Sequence, residues 1–111
     1  MTIQYKSAAF DLTDTNLTTV LSISTSAVAI VKTVQASHQT ASNVDVDLYI
    51  KKSGGSDIEI GHAQLNKSMA NMVVNTLNLE AGDVIKIQAS AANDITGVVS
   101  YALIDRSQEN G

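Results

Sequence analysis

The sequence predicts an all-β fold, an antiparallel β-sandwich of seven to nine short strands. Three observations predict it. Val, Ile and Thr supply 31 of the 111 residues, the β-branched set that suits a pleated, half-buried surface. Apolar and polar residues alternate with period two in run after run, and turn formers stand between the runs. No segment carries a convincing 3.6-residue apolar stripe. Short strands at regular spacing, without helices between them, predict a sandwich of immunoglobulin-like or jelly-roll type.

The elements follow in order. Ile3–Phe10 reads as a first strand, and Asp11–Asn16 is a polar turn. Leu17–Ile23 resumes the alternation, with Leu17, Thr19, Leu21 and Ile23 expected on one face, and Ser24-Thr25-Ser26 breaks it. Ala27–Ser37 is apolar on both parities at its start, as expected of a central strand, and Lys32 predicts that burial on one face ends near its middle. After a polar linker, His38–Asn43, Val44, Val46, Leu48 and Ile50 face one way and Asp45, Asp47, Tyr49 and Lys51 the other. Ser53-Gly54-Gly55-Ser56 then leads to Ile58 and Ile60, which alternate with Asp57 and Glu59. Ile58 and Ile60 share a face with Leu48 and Ile50 only if the loop has an odd length, three or five residues, with a glycine in the αL region. That register sets Lys51 opposite Asp57 or Glu59.

Gly61–Asn71 reads either as a helical turn or two over Ala63–Ala70 or as an irregular loop, and the loop is preferred. Met72–Leu79 and Val84–Ser90 read as the two arms of a hairpin closed by Glu80-Ala81-Gly82-Asp83. Gly82 suits a positive φ there, and Asp83 can bond its own backbone. Ala91–Asp94 connects to a last strand, Val98–Asp105, with Val99, Tyr101 and Leu103 on one face. Residues 1–111 read as one domain, and Arg106–Gly111 as a polar tail expected to fray.

Composition excludes several function classes. The net charge is −4, the only basic cluster is Lys51-Lys52, and Arg106 is the sole arginine. A nucleic-acid groove needs a concentrated positive field, so none is expected. Without cysteine there is no disulfide framework, thiolate zinc site or cysteine nucleophile. The longest apolar run, Ala27–Val31, is one strand long, so no membrane span is expected. Met-Thr-Ile-Gln-Tyr-Lys lacks the apolar core of a signal peptide, which predicts a protein made and kept in a cytoplasm. Phe10 is the only phenylalanine and tryptophan is absent, so the core is built of small and medium side chains. Proline is absent too, leaving strand edges without that blunting device and open to cover by another chain.

Few residues suggest chemistry. His38 and His62, in separate loops or strand ends, have no third ligand at a recognised metal spacing and read as solvent-facing. Asp45, Asp47, Asp57 and Glu59 are expected on one sheet face, where two readings compete. One is a calcium patch or a hydrolytic carboxylate pair. The other, preferred, is the solvated side of an amphipathic hairpin, helped by Lys51 and Lys52, because tight calcium sites draw ligands from loops. Glu80 and Asp83 are explained by turn geometry. Gly54-Gly55 precedes no helix, so no phosphate cradle is expected. Asn66-Lys67-Ser68 matches a glycosylation acceptor, which means little without export. Tyr5, Tyr49 and Tyr101 are too scattered for base stacking, and Tyr49 is a candidate interface anchor. No nucleophile with a base can be named. The expectation is a protein without catalytic residues or cofactor.

Three stretches carry a resemblance: Val44-Asp45-Val46-Asp47-Leu48-Tyr49-Ile50, Leu77-Asn78-Leu79-Glu80-Ala81-Gly82-Asp83-Val84-Ile85-Lys86-Ile87, and Gly97-Val98-Val99-Ser100-Tyr101-Ala102-Leu103-Ile104. Over residues 27–105 the chain resembles small β-sandwich virion proteins of tailed bacteriophages. The leucine-glycine-aspartate turn is also similar to one in trimeric jelly rolls of the C1q and tumour-necrosis-factor group, which are richer in aromatics. The phage resemblance implies a non-enzymatic capsid decoration or cement protein, assembled in the host cytoplasm and carried on the virion. Its implied partners are the major capsid protein or other virion proteins and further copies of itself. The alternatives are a tail, neck or fibre component, or a carbohydrate- or ligand-binding module.

Overall fold

The alternating runs form nine strands in a computed structural model that describes residues 2–73, 76–92 and 95–105. They are β1 (Thr2–Leu12), β2 (Thr18–Ser22), β3 (Ala27–His38), β4 (Val44–Lys51), β5 (Asp57–Leu65), β6 (Met69–Asn71), β7 (Leu77–Leu79), β8 (Val84–Ala89) and β9 (Ile95–Asp105). No helix occurs among the described residues. All pairings are antiparallel. Sheet A runs β1-β9-β3, and β6 and β7 both pair with the far side of β3; sheet B runs β2-β8-β4-β5. The expected tail, Arg106–Gly111, lies outside the described residues, as do Asn93 and Asp94 of the expected connector.

Topology decides between the two sandwich types. In an immunoglobulin sandwich the first strand pairs with the second. Here β1 pairs along its whole length with β9, and β2 belongs to the opposite sheet. With β6 and β7 taken as one interrupted strand, the eight strands follow the jelly-roll order. The sheets close on Val31, Val34, Ala36 and Val99 from sheet A and Val46, Leu48, Ile85 and Ile87 from sheet B, all fully buried. Small side chains thus fill the centre, as the composition requires. Sheet A has the longer strands, and the molecule is elongated, 54 × 26 × 23 Å.

Gly97 shows how tight the contact between central strands is. A Cβ there would lie 2.0 Å from the Gln35 carbonyl oxygen and 2.4 Å from the Phe10 ring. Only glycine leaves room for the Phe10 ring, which packs against the edge of the core.

Several expectations are corrected. The Met72–Ser90 segment is not a hairpin. β7 pairs with β3 in sheet A, whereas β8 pairs with β2 and β4 in sheet B, so the Glu80–Asp83 turn is a corner between sheets. The turn itself forms as expected: the Asp83 amide donates to the Glu80 carbonyl at 3.1 Å, and Gly82 has φ 82°. Gly61–Asn71 is not a loop, because β5 runs on to Leu65 and β6 follows at Met69.

Three bulges account for the remaining differences, each adding one residue and turning the next side chains to the other face. In β2, Thr19 pairs with Lys86 and Leu21 with Ile85, so Val20 is extra and Thr19 faces outward. In β3 the extra residue is Lys32; burial does not end there but passes from Ala29 and Val31 to Val34, Ala36 and His38. In β5 it is Ile60, between Glu59, opposite Tyr49, and Gly61, opposite Leu48. The β4–β5 loop has five residues with Gly54 at φ 77°, and Lys51 pairs with Asp57, as the parity argument required. Yet Ile58 and Ile60 remain 55% and 43% exposed. Ile60 bulges out, and Ile58 lies on an edge strand, with a sheet neighbour on one side only.

Candidate functional site

The outer face of sheet B carries the acidic positions singled out from the sequence. Asp45, Asp47, Tyr49 and Lys51 alternate outward along β4, against Gln64, His62, Glu59 and Asp57 of β5. The Ile60 bulge sets His62 opposite Asp47; an unbroken register would have placed Gly61 there. His62 is therefore on a strand, not in a loop, and its Nδ1 donates to Asp47 Oδ1 at 2.5 Å. Its Nε2 lies 4.0 Å from Asp45 Oδ1. The signal for this in the sequence was Gly61, since a glycine within an alternating run marks a bulge.

The four carboxylates divide. Asp47 and Glu59 converge with His62, each offering a ligand atom within 4.8 Å of the others. Asp57 turns away to Lys86, at 3.0 Å. Asp45 accepts from Gln64 Nε2 at 3.2 Å. The hydrogen bond between Glu59 and Asp47, reinforced by their like charge, pushes the Glu59 carboxyl above its ordinary range; nearby His62 offsets part of this. His62 is raised chiefly by its bond to Asp47. Tyr49 is half-buried amid this group; burial first, then the charges of Glu59, Asp47 and Asp57, raise its hydroxyl.

His38 contradicts the solvent-facing expectation. It is 1% exposed at the end of β3, and its Nε2 donates to the Ser42 carbonyl at 2.8 Å, with the Ser42 and Thr40 hydroxyls each at 3.2 Å. A nitrogen that donates to a carbonyl has no lone pair with which to activate the Ser42 hydroxyl. The ring fastens the turn after β3.

Asp83 does more than shape its own turn. It is 1% exposed, and accepts from the Glu80 amide at 2.8 Å, the Ser53 amide at 3.1 Å and the Lys52 ammonium at 2.5 Å. Burial alone would raise its pKa; these three donors outweigh it and hold the carboxyl below the usual range. The Gly82 amide also donates to the Ile23 carbonyl at 3.1 Å, so three chain reversals meet at this corner.

The outer face of sheet A is different in kind. Across β1, β9 and β3 the outward rows are Ile3, Ile104 and Val28, then Tyr5, Ala102 and Ile30, then Ser7, Ser100 and Thr33. Ala9, Val98 and Gln35 continue it. Tyr5 is 77% and Ile3 54% exposed. The bulged Lys32 interrupts the apolar rows and lies 4.9 Å over the Tyr5 ring. β1 also leaves one edge of eleven residues without a strand partner among the described residues.

No protein-family model matches the chain, and no curated protein sequence matches it significantly. Solved structures do. A chain from the acid-stable capsid of Helicobacter pylori bacteriophage KHP30 superposes with TM-score 0.60 at 13% identity, over 96% of this chain and 90% of that one. A chain of the Bacillus endospore appendages, a family of disulfide-linked pili, superposes with TM-score 0.56 at 14% identity, again over 96% and 90%. The likeness is one of fold. The disulfide linkage has no counterpart here, since this chain has no cysteine. No helix among the described residues is long and apolar enough to cross a membrane.

Proposed function

We propose that this chain is a non-enzymatic structural subunit of a virion, a decoration or cement protein that binds the outer surface of a capsid shell and stabilises it. The observation that carries the reading is the outer face of sheet A, an apolar and hydroxylic surface beside a β1 edge that has no strand partner among the described residues. Contiguous exposed apolar surface of this kind marks protein contacts, and an open edge adds backbone donors and acceptors that a neighbour can pair. The full-length likeness in fold to a similarly sized capsid chain supports the same reading. The partners in this proposal are the major capsid protein or another virion protein and further copies of the chain; Tyr49, half-buried in sheet B, anchors a secondary contact.

A second reading has its own support. The unpaired β1 edge, with the likeness in fold to a pilus subunit, favours a tail, neck or fibre component that builds an array of its own copies. Light scattering of the purified protein, followed by co-sedimentation with purified capsid shells, separates the two. Saturable binding to shells at a fixed ratio to the major capsid protein is the expected result. Polymerisation without shells would move the assignment to the fibre, and a monomer indifferent to shells would overturn both.

A further inference from the structure

We propose that Asp47, Glu59 and His62 form a binding site for one divalent cation of borderline character, of which zinc is the type, on the outer face of sheet B. Two carboxylates and an imidazole from adjacent strands reach one point, and every pair of their ligand atoms is within 4.8 Å. Around an ion held at ~2.1 Å, tetrahedral ligand atoms stand roughly 3.4 Å apart. The half-buried Asp47 and the exposed Glu59 and His62 close that gap by small torsions, with no movement of the strands. A fourth position is left to water.

The backbone builds this convergence. The Ile60 bulge brings Glu59 and His62, three residues apart, to the same side of β5 and aligns the imidazole with Asp47. Asp57 has Lys86, and Glu80 and Asp83 share Lys52. Among the described residues no lysine or arginine pairs with Asp47 or Glu59. Two carboxylates lying together with only an imidazole beside them repel each other, and a divalent ion in place of the bridging proton removes that repulsion. The nitrogen donor sets the class of ion: imidazole with carboxylates suits zinc, whereas calcium and magnesium take oxygen. This differs from a calcium patch on Asp45, Asp47, Asp57 and Glu59, because Asp57 is committed to Lys86. The site lies on the sheet opposite the proposed shell-binding face, so the two proposals stand or fall separately.

The experiment titrates the full chain with zinc chloride by calorimetry and follows both histidine rings by NMR. Expected are one saturable equivalent, perturbation of the His62 ring with His38 unmoved, and a melting temperature that rises with zinc. His62→Gln and Glu59→Gln should each weaken binding by about tenfold or more, since even the loss of a supporting partner costs that much at known sites. Asp57→Asn should leave affinity within about twofold, because Asp57 is paired with Lys86 and supports none of the three ligands. These side chains are exposed, so circular dichroism should find the variants folded. No saturable uptake would overturn the site, as would unchanged affinity in folded His62→Gln, an undisturbed His62 ring, or calcium bound as tightly as zinc.

Discussion

The Asp83 carboxylate takes two backbone amides and the Lys52 ammonium while shielded from water. Asp83→Ala strips both amides of their acceptor, each worth about 1–3 kcal/mol when left unsatisfied. The expected loss is roughly 2–4 kcal/mol, read as a lower urea midpoint. The pH dependence follows from the depressed pKa. The stabilisation is complete above the ordinary carboxylate value near ~3.9 and is lost as pH falls through the lower folded value. Urea midpoints should therefore drop below about pH 4 in the parent and change less over that range in Asp83→Asn. Gly97→Ala forces a Cβ against the Gln35 carbonyl and the Phe10 ring. Overpacking of this kind costs about 1–3 kcal/mol, measured by thermal melting. The local role of Asp83 was legible, because a turn aspartate bonds its own backbone. Its bonds to Lys52 and Ser53 were not, since those residues lie about thirty positions away and only the folded corner unites them.

Strand positions came close to their sequence signals because period-two alternation reports directly which residues a sheet buries. What alternation cannot report is the partner. Glu80–Asp83, with its αL glycine, has the same local chemistry whether the next strand returns to its sheet or crosses to the other. Only the distant pairing of β8 with β2 and β4 makes it a corner. Bulges are hard to read for a related reason: one extra residue leaves the composition unchanged while inverting all that follows. The candidate site shows this well. Its two carboxylates were visible as outward residues of alternating strands, and His62 was missed because the Ile60 bulge had not been placed. The edge position of β5 is testable. Ile58→Ser and Ile60→Ser should each change stability by no more than about 0.5 kcal/mol, as exposed positions do. Leu48→Ala, at the buried centre of the same sheet, should cost about 2–5 kcal/mol; equal losses on chemical denaturation would refute the assignment of β5 side chains.

At the scale of the molecule, the two broad faces have opposite characters, one apolar and hydroxylic, the other charged. If sheet A is the contact face, Tyr5→Asp together with Ile104→Asp should abolish co-sedimentation with shells while leaving the thermal transition nearly in place. Lys51→Glu, beside Tyr49 on the outer face of sheet B, should weaken co-sedimentation far less, because that face makes only the secondary contact. Sheet A also has a consequence for how the protein comes into being. β9 lies between β1 and β3, so the last of the nine described strands in chain order fills the middle of the larger sheet. While the ribosome is still making residues 95–105, β1 has no hydrogen-bonded neighbour and β3 lacks one of its two sides. The nascent chain must carry β1 unpaired until residues 95–105 have emerged. That interval is when a chaperone, or the matching strand of a sister chain on the same polysome, has its one opportunity to occupy the gap.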